Sequence, residues 1–146
     1  MAEQSTDEMS RFLGTVRCPQ DLGEYLENLR KNGNAVSLSN YLNGIMHEKG
    51  LLLRNVVAEC NLEQHYAYQI INGNKCNPSR IKVLALAIAC RMTLAQTQRA
   101  LSISKNAILF PDNPFDAIVI FNISQSNWSV YNINEQLLAE GLPILE

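Results

Sequence analysis

Apolar residues recur three and four positions apart along most of this chain, and small polar residues, glycines and prolines punctuate the runs where helices would begin and end. Pro19, with Asp21 and Glu24 beside it, opens a helix whose Leu22, Tyr25, Leu26 and Leu29 share a face and which stops at Asn32-Gly33-Asn34. Ser37 is placed to cap the next, in which Leu38, Tyr41, Leu42, Ile45 and Met46 form a stripe that Gly50 ends. Two short helices follow, from Arg54 to about Cys60 with Val56 and Val57, and from Glu63 to Asn72 before Gly73. Ser79 caps a helix (Ile81, Val83, Leu84, Leu86, Ile88) so apolar that most of its circumference must be buried, which makes it the core helix.

Thr93 and Gln96 have the spacing of a capping box, predicting a helix to about Ser102 with Leu94 and Leu101 on one face. Asn113-Pro114 gives a cap followed by a first-turn proline and opens a helix through Ala117, Ile118 and Phe121. Ser129 opens a last one through Val130, Ile133, Leu137 and Leu138 until Gly141, with Trp128 expected to pack it against its neighbours. Val119-Ile120-Phe121 favours strand locally, but no partner run with hairpin punctuation exists. The pattern predicts an all-α chain of about seven helices behind a polar tail over residues 1 to 12.

Composition narrows the function classes. With 146 residues and 47% hydrophobic content the chain can bury a core. It has no apolar run of spanning length and no signal-peptide pattern, so the expectation is a cytoplasmic protein without a membrane partner. The net charge of −2 hides an uneven distribution. From Leu38 to Phe110 eight lysines and arginines stand against three glutamates, whereas residues 111 to 146 carry five acids and no base. A basic middle between acidic ends suits a phosphate-facing module with protein-facing flanks. Cys18, Cys60, Cys76 and Cys90 include no C-x-x-C pair, so no metal site or cofactor is expected, and Cys60 and Cys90 read as small buried hydrophobes. His47 and His65 have no nucleophile in a catalytic signature beside them, and no phosphate-cradling glycine loop occurs; the chain does not read as an enzyme.

Two short helices joined by a tight turn under a longer apolar helix form the geometry that presents a helix to a DNA major groove. Here the residues run Gly50-Leu51, then Asn61-Leu62-Glu63-Gln64-His65-Tyr66, Ile70-Ile71-Asn72-Gly73 and Asn77-Pro78-Ser79, followed by Leu84-Ala85-Leu86-Ala87. In that order they resemble the XRE, or lambda-repressor-like, helix-turn-helix family, whose pattern is roughly G-L-[TS]-Q-x-x-L-A-x-x-[SA]-G-[VL]-S-x-x-x-[IL]-x-x-[IL]-E-x-G followed by N-P-S and an apolar helix. The resemblance spans residues 38 to 101, under half of the chain.

It implies a five-helix helix-turn-helix domain over residues 37–103, preceded by a tail and accessory helix (1–36) and followed by an extension of two helices (104–146). It also implies a sequence-specific transcriptional regulator of bacterial or phage type, binding double-stranded DNA as a homodimer, with 63–72 as recognition helix. Ala67 and Ile70 would face inward, leaving Gln64, His65, Tyr68 and Gln69 toward bases. Arg54, Lys75, Asn77 and Arg80 would meet phosphates. The acidic carboxy-terminal helices would serve dimerisation or a protein partner. The sequence departs from the family where Leu52 and Leu53 replace the cap and glutamine of the second helix, and where Glu63 opens the third; no lysine or arginine lies within 63–72. These departures fit an alternative, a protein-interaction module on the same fold that docks through Leu51, Leu52 and Leu53 and has lost DNA reading.

Overall fold

The computed structural model describes Gly23 and residues 37–146; Gly23 apart, the predicted tail, the helix opened by Pro19, and Cys18 lie outside the described residues. The chain divides into units of residues 1–36 and 37–146, and the second is described here. It is built from α1 (Leu38–Lys49), α2 (Leu53–Glu59), α3 (Gln64–Asn72), α4 (Arg80–Ala89), α5 (Leu94–Ile103), α6 (Pro114–Ser124) and α7 (Val130–Ala139), and no strand occurs among the described residues.

The helices begin where a side chain satisfies the free N–H groups of a first turn. Ser37, Asn113 and Ser129 accept from the third residue on, and Thr93 with Gln96 completes a reciprocal capping box. Ser79 sits at its expected cap position but makes no capping hydrogen bond, and neither does Leu52. Gly50 and Gly73 end α1 and α3 in the left-handed region, at φ 66° and 87°. Elsewhere ordinary side chains take that conformation: Asn61, Arg91, Lys105 and Ser126 at φ 55° to 62° follow the ends of α2, α4, α5 and α6. Asn61 stands where the family pattern has glycine, and its side chain donates to the Leu145 carbonyl at 2.9 Å.

Every residue from Val83 to Cys90 is buried, so α4 beyond its first turn has no solvent face; α2, α5 and α7 pack around it. α1 lies against α3 and α5, and α6 against α5 and α7. Val119, Ile123, Ile133 and Leu137 belong to the same core as Leu42, Ile70 and Leu84. Seven helices rather than five therefore share one core. Residues 142–146 return over it: Leu145 is buried and exchanges two hydrogen bonds with the Asn134 amide, at 2.7 and 3.0 Å. The Trp128 indole N–H donates to the Met92 carbonyl at 2.8 Å, holding the start of α7 to the α4–α5 turn.

Three apolar positions of the sequence pattern lie outside the core. On α6 the buried residues are Asp116, Val119, Asn122 and Ile123, and Phe121, one of the apolar positions that marked the helix, is 58% exposed. On α7 Leu138 is 63% exposed although Val130, Ile133 and Leu137 are buried. At the start of α5, Leu94 is also exposed while Leu101 is buried. Polar pairing decides the α6 case. Asp116 accepts both Arg80 Nη atoms at 2.8 Å and the Phe110 N–H at 3.0 Å, and Asn122 bonds Gln136 and Asn127. Rolling α6 to bury Phe121 would break these bonds.

Burial alone would push the Asp116 carboxyl up, but the Arg80 and Phe110 hydrogen bonds, with the guanidinium charge, outweigh it and hold Asp116 below its ordinary value. A carboxyl lowered by folding adds stability above its unfolded value and loses it as pH falls through the folded one. Wild-type protein should therefore lose stability on acidification below about pH 4. Asp116→Asn should cost about 2 to 4 kcal/mol at neutral pH in urea melts, and its stability should fall less on acidification.

Candidate nucleic-acid interface

α3 is a short helix fixed at both ends and along one side. Glu63 turns its carboxylate back over the first turn and accepts from the His65 and Tyr66 N–H groups at 3.0 and 2.8 Å. Those two backbone bonds, Tyr66 first, hold its pKa below the ordinary glutamate value. The acid is thus the cap of α3, where the family has serine or threonine. At the other end Gly73 allows the Asn74 and Lys75 N–H groups to reach the Gln69 carbonyl at 2.9 and 3.1 Å. Ser39 Oγ and Asn43 Nδ2 of α1 both donate to the Ile71 carbonyl, at 2.6 and 2.9 Å, and Ala67, Ile70 and Ile71 are buried.

The opposite side of α3 is polar. Gln64 and His65 are exposed and Tyr68 and Gln69 half-buried. Asn72 was not among the expected contacts, yet it is exposed and lies three residues beyond Gln69 and seven beyond His65, in one row along the helix. Gln69 Nε2 lies 3.2 Å from His65 Nε2, a hydrogen bond within that row.

The four expected phosphate contacts separate. Lys75 and Asn77 are exposed in the loop after α3, and Arg54 is exposed in the first turn of α2. Arg80 differs from these three: its guanidinium, partly exposed, is engaged within the chain by both Asp116 oxygens and by the carbonyls of Ala107 at 2.9 Å and Ile108 at 3.0 Å. Lys82, which no local pattern marks, takes a place beside α3 instead. Its amine stands 5.5 Å from the centre of the Tyr66 ring, and that of Lys75 stands 5.8 Å from it. The ring's negative face draws both cations to one flank of α3. Lys82 also donates to the Glu146 carbonyl at 2.8 Å.

Of the three leucines at the start of α2, Leu51 packs on the core, whereas Leu52 is 52% exposed and Leu53 is also exposed. An open cleft of about 590 Å³ lies between the end of α2 and the start of α7, with Glu59, Asn61, Arg91, Trp128, Tyr131 and Glu135 in its walls, and includes none of the expected base-reading residues. Cys60 and Cys90 are buried; burial pushes both thiols up, Cys90 to about 12, far from the reactive thiolate range. Among the described residues no three His, Cys, Asp or Glu side chains are grouped to hold a metal ion, and no helix is long and apolar enough to cross a membrane.

If Glu63 fixes the first turn of α3, Glu63→Ala should speed hydrogen exchange at the His65 and Tyr66 amides while leaving α4 protected. Unchanged exchange there would remove Glu63 from the cap. Compared with known proteins, the chain matches no family model, no curated protein and no solved structure.

Proposed function

We propose that the chain is a sequence-specific DNA-binding regulator of the XRE type, with α3 entering the major groove. The observation that carries this is the polar row on α3, braced from behind by α1 and α2 and flanked by paired lysines. A helix presented in this way offers amides to base edges, where glutamine and asparagine pair with adenine through two hydrogen bonds. Gln64, His65, Tyr68 and Gln69 read bases, and Asn72 joins them. Lys75, Lys82, Arg54 and Asn77 hold phosphates, giving affinity without sequence information. Two copies bind half-sites about one helical turn, some 34 Å, apart.

A second reading, the interaction module, is favoured by the exposed Leu52 and Leu53 and by the lack of a cation within α3. Leu52→Gln/Leu53→Gln separates the two: DNA affinity stays unchanged or improves in a regulator, whereas partner binding collapses in an interaction module.

Fluorescence anisotropy of a random-sequence duplex, titrated at two salt concentrations, tests the regulator directly. Wild-type binding should weaken as salt rises, and Lys75→Glu/Lys82→Glu should abolish it; no binding at low salt would overturn the proposal. Once a cognate site is selected, Gln69→Ala or Asn72→Ala should cost about 1 to 3 kcal/mol on it and little on random DNA, while Lys75→Ala should weaken both alike and lower the salt slope by about one. Equal losses on both duplexes for the amide variants would remove them from base reading.

A further inference from the structure

His65 and Gln69 stand one helical turn apart on α3, and Gln69 Nε2 lies 3.2 Å from His65 Nε2. A carboxamide nitrogen carries two N–H donors and accepts nothing, so the ring nitrogen is the acceptor of this bond. An imidazole accepts through Nε2 only while it is neutral and its proton sits on Nδ1. The contact therefore fixes both partners, the tautomer of the ring and the end of the carboxamide turned toward it. One amide proton is taken by His65, and the other is left free together with Oε1.

We propose that His65 is a positioning residue for Gln69: the neutral ring sets the carboxamide to read adenine, and the protonated ring turns it toward guanine. Adenine shows the major groove an acceptor, N7, beside a donor, the N6 amino group, and the free N–H and Oε1 match them one for one. Protonating the ring would set N–H against N–H. The carboxamide then reverses, Oε1 accepts from the ring, and N–H donors are left for the two guanine acceptors, N7 and O6. On α3 the charge acting on His65 is the Glu63 carboxylate that caps the helix. α1 and α2, packed on α3, carry His47, Glu48 and Lys49, and Arg54 and Glu59; none of these forms an ion pair with His65 among the described residues. Lys75 and Lys82 are gathered at the neighbouring Tyr66 ring. In purpose the pair rests on the regulator reading, to which it adds a base preference and a dependence on protonation; the pair itself is measured without DNA.

Nitrogen NMR of the full chain alone, at about pH 8, should show the His65 ring as the Nδ1–H tautomer. Anisotropy titrations with the selected site, each base pair changed in turn, then locate the position whose adenine preference Gln69→Ala removes. There the wild-type ratio of adenine to guanine affinity should fall about threefold or more between about pH 8 and about pH 5. Glu63 keeps its charge over that range, because its pKa lies below the ordinary glutamate value. His65→Gln, which offers an amide oxygen and does not titrate, should hold the wild-type alkaline ratio at both pH values, and separates His65 from His47. His65→Leu should lower the ratio at both, with circular dichroism melts confirming that each variant is folded. An Nε2–H tautomer, or an adenine preference unmoved by acid and by His65→Leu, would overturn the proposal and leave the regulator standing. Wild-type protein with the Nδ1–H tautomer that binds no duplex would sink the regulator, and the base preference with it, while the side-chain pair held.

Discussion

The architecture follows from one constraint, a helix with no side left for water. Seven consecutive residues of α4, Val83 to Ala89, are buried, so the surroundings of that stretch must be closed on every flank. α2 closes one flank, α5 another and α7 a third. A domain ending at residue 103 would leave the α7 side of α4 bare. The carboxy-terminal extension is therefore part of the hydrophobic core, and Asn134, Asn61 and Lys82 fasten its last residues to α7, to the α2–α3 turn and to α4 itself.

That closure also divides the cations. Arg80 and Lys82 lie two residues apart on α4, yet one is drawn into the protein by Asp116 and the other is left beside α3. Arginine suits the inner role because its planar fork matches a carboxylate with two parallel bonds while further donors reach the Ala107 and Ile108 carbonyls. Lysine suits the outer one, a point charge on a flexible stem that rests near the tyrosine ring. The electrostatic character of the α3 flank is thus set partly from α6, whose acid takes away one basic residue.

Most of the helical framework was legible from short-range chemistry. Ser37, Thr93 with Gln96, Asn113 and Ser129 cap helices through bonds that span only three residues, so local sequence contains the whole interaction. Ends at Gly50 and Gly73 were legible for the same reason. Ends that rely on Arg91, Lys105 and Ser126 were less so, because nothing in those residue types advertises a positive φ. The facing of α6 was illegible in principle: apolar residues surround it, so periodicity carries no phase, and partners 14 and 36 residues away fix it. The buried side of α3, Ala67 and Ile70, was plain from spacing, whereas the pairing of Arg80 with Asp116, the place of Lys82 beside Tyr66 and the outward place of Asn72 depend on tertiary neighbours. Glu63 departs from the family pattern by type, while its carboxylate caps α3 by geometry that residue type alone does not show.

Trp128 is the chain's single tryptophan, and its indole N–H is bonded to the Met92 carbonyl. Intrinsic tryptophan emission is therefore a local signal from the seam between α7 and the α4–α5 turn, on the part of the bundle that closes α4. Helicity, in contrast, averages over every element. If the extension is part of one cooperative core, the two signals trace a single unfolding curve; an extension that detached first would redden the emission while the helical signal was still largely intact.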